Sequence, residues 1–143
     1  GQGVKQDPVK ARLWYLKAAS KNHAPSQHRL GEIYYHGQGV KEDFVKAGEW
    51  YLKSAAQGNA DAQYSLGNMY YAGKGVKQDP VKAQEWLLKA AIQGHAEAQY
   101  NLAIVYGKNG DVLKTQEWFL KAAAQDHAEA QDMMAKMDKR FRR

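Results

Sequence analysis

The chain has 143 residues, one domain's worth, with 44% hydrophobic residues, a formal charge of +6 and no cysteine. The missing cysteine excludes disulfides, thiolate catalysis and cysteine-based zinc, and it leaves the cellular compartment open. No apolar run approaches the ~18 residues needed to cross a bilayer, and the polar opening Gly1-Gln2-Gly3-Val4-Lys5 shows no signal peptide.

The opening recurs further on. Gly3-Val4-Lys5-Gln6-Asp7-Pro8-Val9-Lys10-Ala11 returns letter for letter as Gly75 to Ala83, and Gly39 to Ala47 is a variant copy midway. Trp14, Trp50 and Trp86 keep the same step of 36 residues. A period of this size predicts stacked supersecondary units instead of one closed core, and so a long binding surface before any site is named.

In chain order the pattern predicts eight helices near 8–20, 24–36, 43–57, 60–72, 79–93, 96–107, 111–125 and 128–140, alternating between two kinds, B and A. Residues 60–94 show both best. Ala62, Leu66, Met69 and Tyr70 recur at helical spacing along a helix A, which Gly73 ends as a left-handed cap. Asp79 and Pro80 then open a helix B, where an N-cap acceptor and a donor-less first residue suit the start. Ala83, Trp86, Leu87, Ala90 and Ala91 form its core stripe. Gly31, Gly67, Ala103 and Ala135 lie beside the A stripe, small enough for a neighbouring helix to approach, while the tryptophans fill the larger gaps. Glu49/Lys53, Glu85/Lys89 and Glu117/Lys121 are i,i+4 pairs, and the evenly repeated lysines are read as a solvated face.

Two irregularities stand out. Trp118 follows Trp86 by only 32 residues because Gly107-Lys108-Asn109-Gly110-Asp111 replaces the longer connector, which predicts a tighter turn. Gly1-Gln2-Gly3-Val4 matches Gly37-Gln38-Gly39-Val40, so the chain starts just after the place of a helix A. The expectation is one array over 1–143, the C-terminal part of a longer repeat protein, whose first helix exposes Leu13 and Trp14 and offers a route to self-association. At the other end Lys136, Lys139, Arg140, Arg142 and Arg143 form a basic cluster.

Signals of chemistry are weak. Gly73-Lys74-Gly75-Val76 follows a helix and lacks the ending of a phosphate loop. His23, His95 and His127 share one position just before helix A, held by Asn59 in the remaining unit, which is a cap or turn. His28 and His36 stand about two turns apart, too far for one ion. No nucleophile, base and orienting group fall together. No catalysis, metal or cofactor is expected.

The combined pattern resembles the Sel1-like repeat (SLR) family, relatives of the tetratricopeptide repeats. Ala60, Ala62, Gln63, Leu66, Gly67, Tyr70, Gly73, Gly75, Val76, Asp79, Lys82, Ala83, Trp86 and Lys89-Ala90-Ala91 carry the resemblance in one full unit. It implies an all-α fold, a right-handed superhelical solenoid of antiparallel helix pairs. It also implies a non-enzymatic adaptor, scaffold or inhibitory, immunity-type binder of proteins, in a family common in bacteria. In such superhelices the A helices line the concave face.

On helix A the face opposite the core holds His28, Glu32 and Tyr35, then Tyr64, Asn68 and Tyr71, then Tyr100 and Ile104. These positions differ between units while the core positions stay alike, which marks them as candidate contacts with a protein or peptide partner. Two readings stay open for Tyr35, Tyr64, Tyr71 and Tyr100: anchors in a groove, or lateral packing between neighbouring A helices. An alternative function is binding of nucleic acid or an anionic membrane through the +6 charge and the C-terminal cluster.

Overall fold

The computed structural model describes residues 7–141, with side chains through Arg140. These form α1 Pro8–Ser20, α2 Ala24–His36, α3 Phe44–Ala56, α4 Ala60–Ala72, α5 Pro80–Ile92, α6 Ala96–Lys108, α7 Val112–Ala123 and α8 Ala128–Phe141, with no strand among the described residues. The helices of kind B are α1, α3, α5 and α7; those of kind A are α2, α4, α6 and α8. The first six residues, with the opening repeat match, lie outside the described residues, as do Arg142 and Arg143.

Contacts group the chain into two compact units, Gly1–Ala83 and Gln84–Arg143. In the first, α2 packs against α1 and α3, and α4 against α3; in the second, α7 packs against α6 and α8. Connections this short make sequential helices antiparallel neighbours.

Caps explain where the helices begin. Asp7, Asp43, Asp79 and Asp111 accept backbone N–H bonds at the starts of the B helices. At the A helices the acceptors are His23 Nδ1, Asn59 Oδ1, His95 Nδ1 and His127 Nδ1, as the shared position predicts. The turn before each cap needs a positive φ. Gly58 and Gly94 provide it in two units, and Asn22 (64°) and Asp126 (62°) in the others; Asn and Asp enter this region at lower cost than other side chains.

The shortened connector leaves the joint intact. Asp43 and Asp79 donate their N–H to the Tyr34 and Tyr70 carbonyls at 2.8 and 2.9 Å across nine positions. Asp111 makes the same bond to Tyr106 at 3.0 Å across five. The four missing residues come out of the loop alone.

Glutamines tie helix pairs together. Gln27, Gln63 and Gln99 are buried, and each donates Nε2 to a carbonyl at the end of the preceding B helix, Ala19, Ala55 and Ala91. Gln27 Oε1 in turn accepts from Gln57, and Gln99 Oε1 from Gln125, at 2.6 and 2.8 Å. A buried amide that lacked these partners would cost about 1–3 kcal/mol.

The tryptophans are not uniformly buried fillers. Trp14 is 69% exposed, Trp50 and Trp86 are half-buried and Trp118 is buried. Trp50 packs on the cluster of Ala19, Leu30 and Ile33 beside Tyr15 and Leu16. It fills the space between its own helix and the preceding pair. Ala135 is exposed, so close approach at the small-residue position is confined to Gly31, Gly67 and Ala103, which are buried.

The repeated lysines also depart from a freely solvated face. Lys17, Lys53, Lys89 and Lys121 lie over the tryptophan three residues earlier, at 4.4–5.7 Å from the ring. Lys46, Lys82 and Lys114 lie over Tyr34, Tyr70 and Tyr106, at 5.0–5.4 Å. Ring and stem satisfy each other while the ammonium keeps contact with water. Of the expected i,i+4 pairs, Lys121 reaches Glu117 at 3.4 Å.

Candidate functional site

In the first unit His28, Glu32 and Tyr35 follow one another along α2, all half-buried. Glu32 lies between two side chains, with Arg29 Nη1 at 2.8 Å from Oε2 and His28 Nε2 at 3.5 Å from Oε1. The hydrogen bond to Glu32 holds the Arg29 guanidinium above its ordinary pKa, against the opposing effect of burial. Tyr35 lies 5.0 Å from the rings of His36 and Phe44, and Lys74 stands 5.9 Å above it. Tyr35 therefore shares in lateral packing and still shows an edge.

Beneath these residues is Tyr51 of α3. It is 3% exposed, with ring centroids 5.7 Å from His28 and 6.5 Å from Tyr35. Burial raises its phenol pKa, and the charge of Glu32 adds to the effect, while a hydrogen bond with Ser65 opposes it. Tyr51 can lie there because residue 31 has no side chain: a Cβ on Gly31 would stand 2.5 Å from Tyr51 Cδ1. Tyr51 was not singled out from the sequence. The signal was present, since Tyr51 occupies the repeat position of Leu87 in the core stripe.

On α4, Tyr64, Asn68 and Tyr71 are half-buried, and none is without a partner. The first unit thus carries six of the nominated residues on its two A helices.

The second unit carries Tyr100 and Ile104 on α6, both half-buried. Tyr100 stacks on His127 at 4.7 Å with 22° between planes, and its ring lies 5.6 Å from Phe119. His127 is buried and its Nδ1 caps α8. Its Nε2 lies 3.0 Å from Glu97 Oε1 without forming a hydrogen bond, and its Nδ1 lies 3.5 Å from Glu129 Oε2. The stacking on Tyr100 gives His127 a second role beyond its cap, one that the sequence position alone does not reveal.

Among the described residues no three His, Asp or Glu stand together as a metal cage. No described helix is long and apolar enough to cross a membrane. The basic C-terminal segment is balanced where it is described. α8 sets Glu129, Asp132 and Asp138 against Lys136, Lys139 and Arg140, with Lys136 paired to Asp132 at 2.9 Å.

Solved structures similar to this chain include a Sel1 repeat protein from Oxalobacter formigenes, 35% identical with a TM-score of 0.88, which covers 95% of this chain and 57% of its own. A second is c5321, a protective antigen present in uropathogenic Escherichia coli strains and displaying an SLR fold. It is 34% identical with a TM-score of 0.90, over 96% of this chain and 31% of its own. A third is Helicobacter pylori cysteine rich protein B, 30% identical with a TM-score of 0.64, over 68% of this chain and 73% of its own. The chain thus spans a little over half of the first of these proteins and under a third of the second. No curated protein matches it. Sel1-repeat proteins generally mediate protein–protein interaction and are typically non-enzymatic scaffolds. The Sel1 repeat profile matches residues 1–23, 24–59, 60–95 and 96–127, and its fold is the all-α repeat fold described above. The chain belongs to the Sel1 repeat family.

Proposed function

We propose that this chain is a non-enzymatic protein-binding module, an adaptor, scaffold or immunity-type inhibitor, whose partner docks on the A-helix face. The observation that carries this reading is a contrast within one chain. Framework positions such as Leu30, Leu66 and Leu102 are alike and fully buried, whereas Glu32, Asn68 and Ile104 differ in every unit and His28 replaces the tyrosine of Tyr64 and Tyr100, all with partial exposure. Half-exposed tyrosines beside an Arg–Glu–His cluster supply the amphipathic anchors and polar rim that protein interfaces use.

The test pairs Tyr64→Ala/Tyr71→Ala with the milder His28→Ala/Glu32→Gln. Both are expected to weaken binding to a partner recovered with the wild type by tenfold or more, with helicity unchanged by circular dichroism. Undiminished affinity in both would remove the A-helix face as the docking surface.

A further inference from the structure

The outer side of the B helices carries a second pattern that no core contact requires. Val9, Val45, Val81 and Leu113 occupy one repeat position, and all are exposed, between 46% and 79%. Seven residues on, and so on the same side of the helix, Leu52 of α3 and Leu120 of α7 are exposed at 46% and 59%. Single exposed apolar residues are ordinary. The same exposed position filled by Val or Leu in every unit is not scatter.

Charge follows the same helices. α1, α3, α5 and α7 hold nine Lys or Arg against three Glu, which equals the formal +6 of the entire chain; everything else balances. Each apolar position is followed at once by a lysine: Lys46 after Val45, Lys53 after Leu52, Lys114 after Leu113 and Lys121 after Leu120. The ring contacts under these lysines fix their stems along the surface. One glutamate stands between the apolar pair on each helix, Glu49 on α3 and Glu117 on α7, the latter paired to Lys121.

We propose that the exposed side of the B helices docks on an anionic lipid surface in each unit by itself, through Val45 and Leu52 of α3 in the first unit and, separately, through Leu113 and Leu120 of α7 in the second, each pair entering the headgroup boundary. Apolar residues flanked by lysine suit the combined burial and charge attraction of interfacial binding. A second copy of this chain would meet like charge. The uniformity of the pattern suits a partner that is itself uniform, whereas a specific protein is better served by the unit-to-unit variation of the A face. This reading uses a different face and stands independently of the one above.

The test is flotation of the full chain with vesicles of phosphatidylcholine containing a minority of phosphatidylglycerol, and with pure phosphatidylcholine. Binding is expected only with the anionic lipid and should fade as salt rises. Val45→Ser/Leu52→Ser and Leu113→Ser/Leu120→Ser, which change no charge, should each lower partitioning about tenfold by removing apolar burial. Glu49→Gln/Glu117→Gln should raise it. Tyr64→Ala/Tyr71→Ala should leave it unchanged, which separates failure here from failure of the A-face reading. No binding to the anionic vesicles overturns the proposal. So does binding that the serine variants leave intact while lysine variants abolish it, which would mark plain electrostatic attraction. A concentration-dependent dimer abolished by the serine variants, without lipid binding, would assign the face to copies of this chain instead.

Discussion

Tyr51 lies directly over Gly31, and the two residues are one feature. A Cβ on residue 31 would meet both Cδ1 and Cε1 of the tyrosine at 2.5 Å, and the ring is buried with little room to retreat. Gly31→Ala is therefore expected to destabilise the fold by about 1–3 kcal/mol, the range for overpacked cores. Tyr51→Leu, the residue found at the same repeat position as Leu87, should recover much of that loss in the double variant. Urea denaturation of the two single variants and the double closes the cycle. Additive losses would separate the pair.

Tyr51 also predicts behaviour at high pH. Its pKa is raised by burial and by the Glu32 charge, so the folded state holds the phenol proton more tightly than the unfolded chain. The resulting stability is fully present below the ordinary tyrosine pKa of about 10 and is lost as pH climbs from there toward the higher folded value. Stability between pH 9 and pH 11 should fall more steeply for the wild type than for Tyr51→Phe. Parallel slopes would contradict the assignment.

The four tryptophans are not equivalent, and substitution should show it. Trp118 is 7% exposed and Trp14 is 69% exposed. Trp118→Ala is expected to cost about 3–5 kcal/mol, whereas Trp14→Ala should stay within about half a kcal/mol. Equal losses in chemical denaturation would mean that Trp14 is covered in solution, and the difference between low and high protein concentration would then reveal self-association.

Glutamine provides a comparison inside one unit. Gln99 and Gln131 make the same bond to Ala91 and Ala123 carbonyls, each at 3.1 Å, but Gln99 is buried and Gln131 exposed. Gln99→Leu should cost about 1–3 kcal/mol because buried polar groups lose their partners. Gln131→Leu should cost less, since water replaces the amide there. Thermal unfolding of the two variants separates these outcomes.

All eight helices were legible in the sequence, because the period carries the well-marked bounds of one unit, the Asp79-Pro80 start and the Gly73 and Gly94 stops, over to copies that lack some of these marks. The cap role of His23, His95 and His127 was legible too, since Asn59 at the same position names the chemistry. The lysines were not. Their even spacing reads as solvation, and only the fold shows that three residues along one helix, or a helix pair across a connector, bring each ammonium over a ring. The pairing of Tyr51 with Gly31 was hidden for a related reason: the stripe position of Tyr51 and the small residue at 31 are each visible in the sequence, but only the fold brings the ring onto the glycine. Exposure at Val45 and Leu113 was not read from the sequence, because the core stripe of helix B leaves out their repeat position and only the fold shows that no neighbouring helix covers it.

The division between repeated framework and individual A-helix face is tested most directly by affinity capture with matched variants of equal fold. Wild type, Tyr64→Ala/Tyr71→Ala and the outer-face variant Val45→Ser/Leu52→Ser would be used as bait, and the affinity of the recovered protein measured by calorimetry with each. The A-face variant should lose the partner by tenfold or more while the outer-face variant keeps wild-type affinity. Loss with the outer-face variant and retention with the A-face variant would contradict the assignment of the two faces.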